Sequence, residues 1–233
     1  MQKSCTCIIP ARGGSKRILR KNLKHFCGTP ILAYSINNAL NCGIFSQIIL
    51  SSDDTEILEY ALKYNITPLR RPPHLSHDTA STRSVILHAI EFLESTNACK
   101  EESLICCLYA TAPLLDPTTL KKAFLQAKDN AKNRYCLSAV EYDYSPFRSF
   151  RIAQDKNIML FEEYFNKRSQ DLQKIYHDAG QFYFATARVW KERENLFEGS
   201  YSIILPRSQV QDIDTLEDWE LAELKYKMLH NYS

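Results

Sequence analysis

Arg12, Lys16, Arg17, Arg20 and Lys21 crowd around the pair Gly13-Gly14 in one short run, PARGGSKRILRKN, from Pro10 to Asn22. Glycines let backbone N–H groups approach a phosphate closely, and Ala11 and Ser15 flank them with a further N–H and a hydroxyl. Arginine grips phosphate oxygens in pairs, while lysine acts as a compact charge. The run therefore reads as a cradle for a triphosphate, with the five cations supplying its counter-charge. It is neither a Walker A motif nor a G-x-G-x-x-G fingerprint, which argues against a kinase or a dehydrogenase.

Asp212-Ile213-Asp214 is the second constellation. Read as the end of a strand from Val210, it places both carboxylates on one face. That pair suits a Mg²⁺ shared with nucleotide phosphates. The competing reading makes Asp214 a helix cap. Leu69-Arg70-Arg71-Pro72 and His77-Asp78-Thr79-Ala80-Ser81-Thr82 form a third. Arg71, Ser81 and Thr82 offer donors and acceptors to a pyrimidine, although Asp78 through Ser81 also fits helix capping. Tyr176-His177-Asp178-Ala179-Gly180-Gln181-Phe182-Tyr183 is the fourth. Its His-Asp pair lacks a G-x-S-x-G elbow, so a hydrolytic triad is excluded and a sugar-binding edge fits better. His25, His74, His88 and His230 read as surface or satisfied residues.

These groups need a scaffold, and the hydrophobic pattern supplies one. Strands are expected over Thr6–Ala11, Gln47–Ser52, Ile66–Leu69, Leu104–Ala110, Tyr135–Glu141, Gln181–Ala185, Ile203–Pro206 and Val210–Asp214. Helices are expected from Thr29-Pro30 to Gly43, from Asp53-Asp54 to Tyr64, over Ser81–Leu93, from Asp116-Pro117 to Ala131, and from Thr215 onward with Asp218 in a capping box. Alternation of this kind predicts βαβ units in a mainly parallel sheet with helices on both faces. The stretch 142–178 breaks the rhythm. It reads as an inserted arm, with a hairpin over Arg148–Phe161 turning at Asp155-Lys156-Asn157, that covers the site or meets a second subunit.

The 233 residues are 45% hydrophobic and carry a net charge of +2, so one domain with a real core is expected, with no nucleic-acid or membrane partner. Eight cysteines without a C-x-x-C pair read as buried, reduced thiols in a cytoplasmic protein. The opening apolar run ends at Arg12, unlike a signal peptide.

Taken in order, Ile9–Arg17 with Lys21-Asn22, Leu69–Pro72 with Asp78–Thr82, and Asp212–Thr215 resemble the acylneuraminate cytidylyltransferases over nearly the whole chain. The resemblance implies a Rossmann-like three-layer α/β nucleotidyltransferase domain spanning 1–233, with 142–178 as a dimerisation arm. It implies that Arg12 and Lys21 hold the CTP phosphates and departing pyrophosphate. Asn22 places the nucleotide, Arg71 and Thr82 lie near cytosine or ribose, and Asp212 and Asp214 hold Mg²⁺. Two stretches depart from the neuraminate enzymes: Tyr109-Ala110-Thr111-Ala112-Pro113, and His177–Tyr183. Both, with Arg168-Ser169-Gln170-Asp171, are similar to the pseudaminic acid branch of the family. That similarity implies transfer of CMP to pseudaminic acid, a sugar used on flagellin, with Tyr109, Thr111, His177, Asp178, Gln181 and Tyr183 at the sugar. Arg148, Arg151 or Arg168 would meet the sugar carboxylate. The rival readings are legionaminic acid, N-acetylneuraminate or Kdo as acceptor, a GT-A glycosyltransferase, and a non-catalytic nucleotide- or RNA-binding module.

Overall fold

The computed structural model describes residues 5–77 and 79–230. Asp78, the first residue of the expected Asp78–Ser81 capping stretch, lies outside the described residues.

The chain opens with β1 (Cys5–Pro10), whose residues are buried on both faces up to Ile9. Such a continuous apolar strand belongs at the centre of a parallel sheet. A long loop follows, then a small ribbon of β2 (His25–Phe26) and β3 (Thr29–Pro30). Helix α1 (Ile31–Asn41) begins directly after it. Thr29 was expected to cap this helix, but it pairs with Phe26 in the ribbon, and Pro30 stands at the cap with no side-chain bond. Next come β4 (Phe45–Ser52), α2 (Thr55–Lys63), β5 (Thr67–Arg70) and α3 (Thr82–Ser95). Asp54 and Ser81 cap these helices by accepting from Ile57 and Ser84. Then follow β6 (Leu104–Leu108), α4 (Pro117–Asn130) under an Asp116 cap, and β7 (Cys136–Glu141).

The expected hairpin is β8 (Phe150–Ala153) with β9 (Lys156–Met159). Its turn falls at Gln154-Asp155, one residue earlier than predicted, because both carry the positive φ (50° and 59°) that a type I′ turn requires. The chain returns in β10 (Tyr176–Thr186), so the last residues of the stretch read as arm join the central sheet. After it come α5 (Ala187–Glu192), β11 (Tyr201–Ile204) and α6 (Leu216–Leu229), whose Thr215–Asp218 capping box is present. Residues 210–214 form no strand.

The main sheet runs β11-β7-β10-β6-β1-β4-β5. All its pairings are parallel except those of β10, which lies antiparallel between β6 and β7. One face packs on α1, α2 and α4 through Leu32, Ile57 and Phe124. The other packs on α3 and α5 through Ile86, Ile90 and Trp190. The arrangement is three-layered, as the sequence predicts. A third apolar cluster, of Ile18, Phe26, Ile31, Ile213, Trp219 and Ala222, ties the first loop to the C-terminal segment. Among the described residues no helix is long and apolar enough to cross a membrane.

Candidate active site

The carboxyl ends of β1, β4, β5 and β6 meet along one edge of the sheet, where ligands of open α/β folds bind. Each delivers a loop. The first begins at Ala11, whose N–H bonds Ser51 O and so extends the pairing of β1 with β4. Gly13 then donates its N–H to Asp53 Oδ1 at 3.0 Å. A Cβ on Gly13 would sit 2.6 Å from Asp54 Oδ2, so only glycine lets the loop approach the end of β4 this closely. Gly14 meets no such crowding. Arg20, left-handed at φ 51°, is held by Glu56 at 2.7 Å and so anchors the loop to α2. Ile18 is buried with Ile213 in the third cluster, and this contact carries the loop to the Asp212–Asp214 segment.

The consequence is a tight exchange of charge. Lys21 Nζ donates to Ile213 O at 2.6 Å and lies 3.7 Å from Asp214 Oδ1. Arg17 reaches Asp214 Oδ2 at 2.8 Å. Burial lowers the pKa of Lys21, and Arg17 and Arg12 add to the fall, while Asp214 and Asp212 oppose it. Partial burial and then the charge of Asp214 raise the pKa of Asp212, with Lys21 acting against them. Asp212 and Asp214 thus feel each other's charge and that of Lys21 although no strand forms, with Ile213 buried between them. Asn22 is buried and bonds Arg12 O at 2.8 Å, fixing the loop's first arginine. Ser15 and the exposed Lys16 ride on the outer turn.

Arg12, Lys21, Asn22, Arg71, Thr82, Tyr109 and Thr111 line one cleft of about 210 Å³. Arg71 is almost wholly buried, and its guanidinium donates to Ser51 O at 2.9 Å. Burial lowers its pKa against the pull of Asp53. Thr82 and Tyr109 share a hydrogen bond at 2.9 Å and also line a second cleft, with Ser81, Asp178, Tyr183, Glu194, Leu196 and Phe197. Ser81 lies at its rim, its hydroxyl engaged as the α3 cap.

The sequence-predicted residues do not all converge. His177 is exposed, stacks 4.5 Å from the Tyr142 ring and binds Asp178 O, away from both clefts. Gln181 is buried, its amide bonding Ala179 O. The register slip of β10 between Asp178 and Tyr183, with Gly180 at φ 60°, is the reason. It breaks the strand's alternation and turns these two side chains aside. Arg148 is held by Lys167 O within the arm. Sequence reasoning missed Asp53 as partner of the glycine loop, and Leu196 and Phe197 as cleft walls. Asp53 had been visible at the end of its strand, but as a helix start. Leu196, partly buried, and Phe197, exposed, carry no signal in the sequence beyond being apolar.

Among the described residues no group of three or more His, Cys, Asp or Glu could by itself hold a metal. Asp212 and Asp214 are a two-carboxylate oxygen set, and the charge of Asp214, after partial burial, makes the ionised form of Asp212 costlier. Hard Mg²⁺, held by one or two carboxylates plus substrate phosphates, fits that set.

A mainly parallel sheet whose first loop brings cations beside a carboxylate pair is the arrangement expected of a nucleotidyltransferase. The family model for cytidylyltransferases matches residues 6–221. A pseudaminic acid cytidylyltransferase of Campylobacter jejuni (strain 81-176) is 48% identical over 227 residues, covering 96% of this chain and 97% of the relative. A Helicobacter pylori protein named as pseudaminic acid cytidylyltransferase and UDP-2,4-diacetamido-2,4,6-trideoxy-beta-L-altropyranose hydrolase is 38% identical, over 93% of this chain and 41% of its own length. The solved structure of CMP:2-keto-3-deoxy-manno-octonic acid synthetase complexed with CTP shares the fold at TM-score 0.69 and 12% identity, covering 98% of this chain and 99% of that one. The chain belongs to the cytidylyltransferase family. It is an enzyme, and the readings as a GT-A glycosyltransferase or a passive nucleotide binder fall away.

Proposed function

We propose that this chain transfers CMP from CTP to the anomeric hydroxyl of pseudaminic acid, releasing pyrophosphate. The observation that carries the chemistry is Lys21, which joins the cationic loop to Ile213 and Asp214 at the rim of one cleft. The near-full-length likeness to the Campylobacter jejuni enzyme supports the choice of sugar.

In this reading Arg12, Lys21 and the loop N–H groups of Ala11, Gly13, Gly14 and Ser15 hold the triphosphate. Lys16 and Arg17, at the mouth, receive the leaving pyrophosphate. Arg71 and Thr82 face the base, and Asn22 keeps Arg12 aimed by holding its carbonyl. The sugar occupies the adjoining cleft along Tyr109, Asp178, Tyr183 and Phe197, with Thr111 between the two. The anomeric oxygen then attacks the α-phosphorus and pyrophosphate departs in line. This chemistry rests on positioning and charge more than on covalent help. Asp212 and Asp214 would hold Mg²⁺, which when bound neutralises charge on the phosphates.

The arm leaves Tyr144, Phe150, Ile152 and Phe165 exposed, a surface suited to pairing two copies into a homodimer. The eight thiols are all free, seven of them buried, which suits a reducing cytoplasm. The product would serve glycosylation of flagellin.

The test supplies the protein with CTP, Mg²⁺ and, separately, pseudaminic acid, legionaminic acid, N-acetylneuraminate and Kdo. Pyrophosphate release and the product mass are read. Fastest turnover with pseudaminic acid is expected. Faster turnover of another acid would reassign the substrate.

A further inference from the structure

One wall of the sugar-side cleft is a loop that buries little. Residues 193–200 run from the end of α5 to the start of β11, and they bring Glu194, Leu196 and Phe197 to the cleft. Of the loop's two apolar side chains, Leu196 packs against the second apolar cluster, while Phe197 is 58% exposed. A segment with so few apolar contacts is placed by its hydrogen bonds.

Those bonds come in two sets. Within the loop, Asn195 Oδ1 accepts the N–H groups of Phe197 and Glu198, at 2.9 and 3.3 Å. The Ser200 hydroxyl donates to Phe197 O at 2.7 Å. These bonds make the tip a unit. The second set fixes that unit to the domain. Tyr135, which is buried, holds both ends: its hydroxyl donates to Arg193 O at 2.9 Å, and its carbonyl accepts the Tyr201 N–H at 2.8 Å. Arg83 holds the approach. Its Nε donates to Trp190 O at 2.9 Å and its Nη2 to Lys191 O at 2.5 Å. The last carbonyls of a helix have no partner within it, and here one guanidinium satisfies two of them. Arg83 stands on the first turn of α3 beside Thr82, so that turn serves both clefts.

We propose that Arg83 is a positioning residue for the sugar acid: it clamps the end of α5 to α3 and so holds the Leu196–Phe197 wall in place. The role rests on the reading that puts the sugar against that wall. A wall displaced by about 1 Å loses its fit to the sugar. No residue of the loop lines the nucleotide cleft, so CTP binding is spared.

The test reads pyrophosphate release with CTP, Mg²⁺ and whichever acid of the panel above is turned over fastest. It compares wild type, Arg83→Met, Phe197→Ala and the double variant. Methionine keeps most of the stem without its donors. Each single change is expected to raise the KM for the sugar about tenfold and to leave kcat and the KM for CTP within about twofold, the mark of lost ground-state binding. Because Arg83 acts through the wall, the double variant should be no worse than the poorer single one. Effects that multiply in the double variant would mean that Arg83 acts by another route, and would overturn the clamp. A wild-type sugar KM in Arg83→Met beside an impaired Phe197→Ala would also overturn it, while leaving the sugar at the wall. If Phe197→Ala keeps the wild-type sugar KM, the sugar does not lie against this wall, and the placement and the proposal fall together. A thermal melt reports folding. Should Arg83→Met fail to fold, Tyr135→Phe, which drops one hydroxyl from the same loop, takes its place with the same expected results.

Discussion

Lys21 Nζ donates to the backbone carbonyl of Ile213 at 2.6 Å, joining a loop near the start of the chain to a segment near its end. A cation that could have remained in solvent is instead drawn to the cleft rim, beside Asp214. Its burial lowers its own pKa, so the enclosure works against its charge and is offset by the carboxylates it faces.

Replacing Lys21 with alanine removes that charge from the proposed phosphate site. Turnover is expected to fall by a factor of roughly 10² or more, the scale for losing one preorganised electrostatic group. The melting temperature should change little, since the side chain is no part of the apolar clusters. Steady-state pyrophosphate release and a thermal melt check both halves. A Lys21→Ala enzyme that turns over normally would remove Lys21 from the site.

Ile213 and Ile18 are each 2% exposed, and they carry the loop to the carboxylates. Ile213→Ala is expected to cost about 2–4 kcal/mol through the cavity it leaves. It should also raise the KM for CTP, because Asp212 and Asp214 lose their backing. Urea unfolding and CTP kinetics on the same preparation test the coupling. A destabilised variant with an unaltered KM would show that the apolar contact holds the fold without aiming the site.

Much of this architecture is legible in the sequence because local chemistry writes it. Asp54, Ser81, Asp116 and Thr215 announce their helices by capping, and β1 and β6 announce a central position by being apolar on both faces. The cationic loop and the Asp pair are legible too. Even without a strand at 210–214, Asp212 and Asp214 stay accessible on either side of buried Ile213. What the sequence conceals is non-local. Nothing beside Ile18 names Ile213 as its partner, and nothing beside Arg17 names Asp214. His177 and Gln181, placed at the sugar by family resemblance, turn away from the clefts because β10 slips register around the left-handed Gly180. Gly180 was the one visible signal of that break.

Asp212→Asn and Asp214→Asn are each expected to raise the Mg²⁺ concentration needed for half-maximal turnover at least tenfold, through loss of one oxygen ligand. Pyrophosphate release across a Mg²⁺ titration gives the value. Superimposable titrations for wild type and both variants would place the metal elsewhere.

The arm offers a separable prediction. Ile152 is 72% exposed on the hairpin and lies outside the three apolar clusters of the domain. Ile152→Asp should leave the fold intact and shift the homodimer proposed above to monomer in sedimentation. An unshifted dimer would move the interface off the hairpin.

Asp116 provides a pH-dependent prediction away from the site. Burial pushes its pKa up, but the backbone N–H and hydroxyl of Thr119, the N–H of Thr118 and the Gln209 amide outweigh it, and the folded value lies below the ordinary 3.8. A depressed carboxylate stabilises the folded state above its unfolded pKa, and the contribution is lost as pH falls through the folded value. At neutral pH Asp116→Ala is therefore expected to cost about 1 kcal/mol, the usual value of a helix cap. The difference from wild type should shrink steadily as the pH is taken below 3.8. Urea midpoints for both proteins across that range measure it. A cost that stays constant into acid would mean that the ionised cap contributes nothing and that the loss at neutral pH is one of packing.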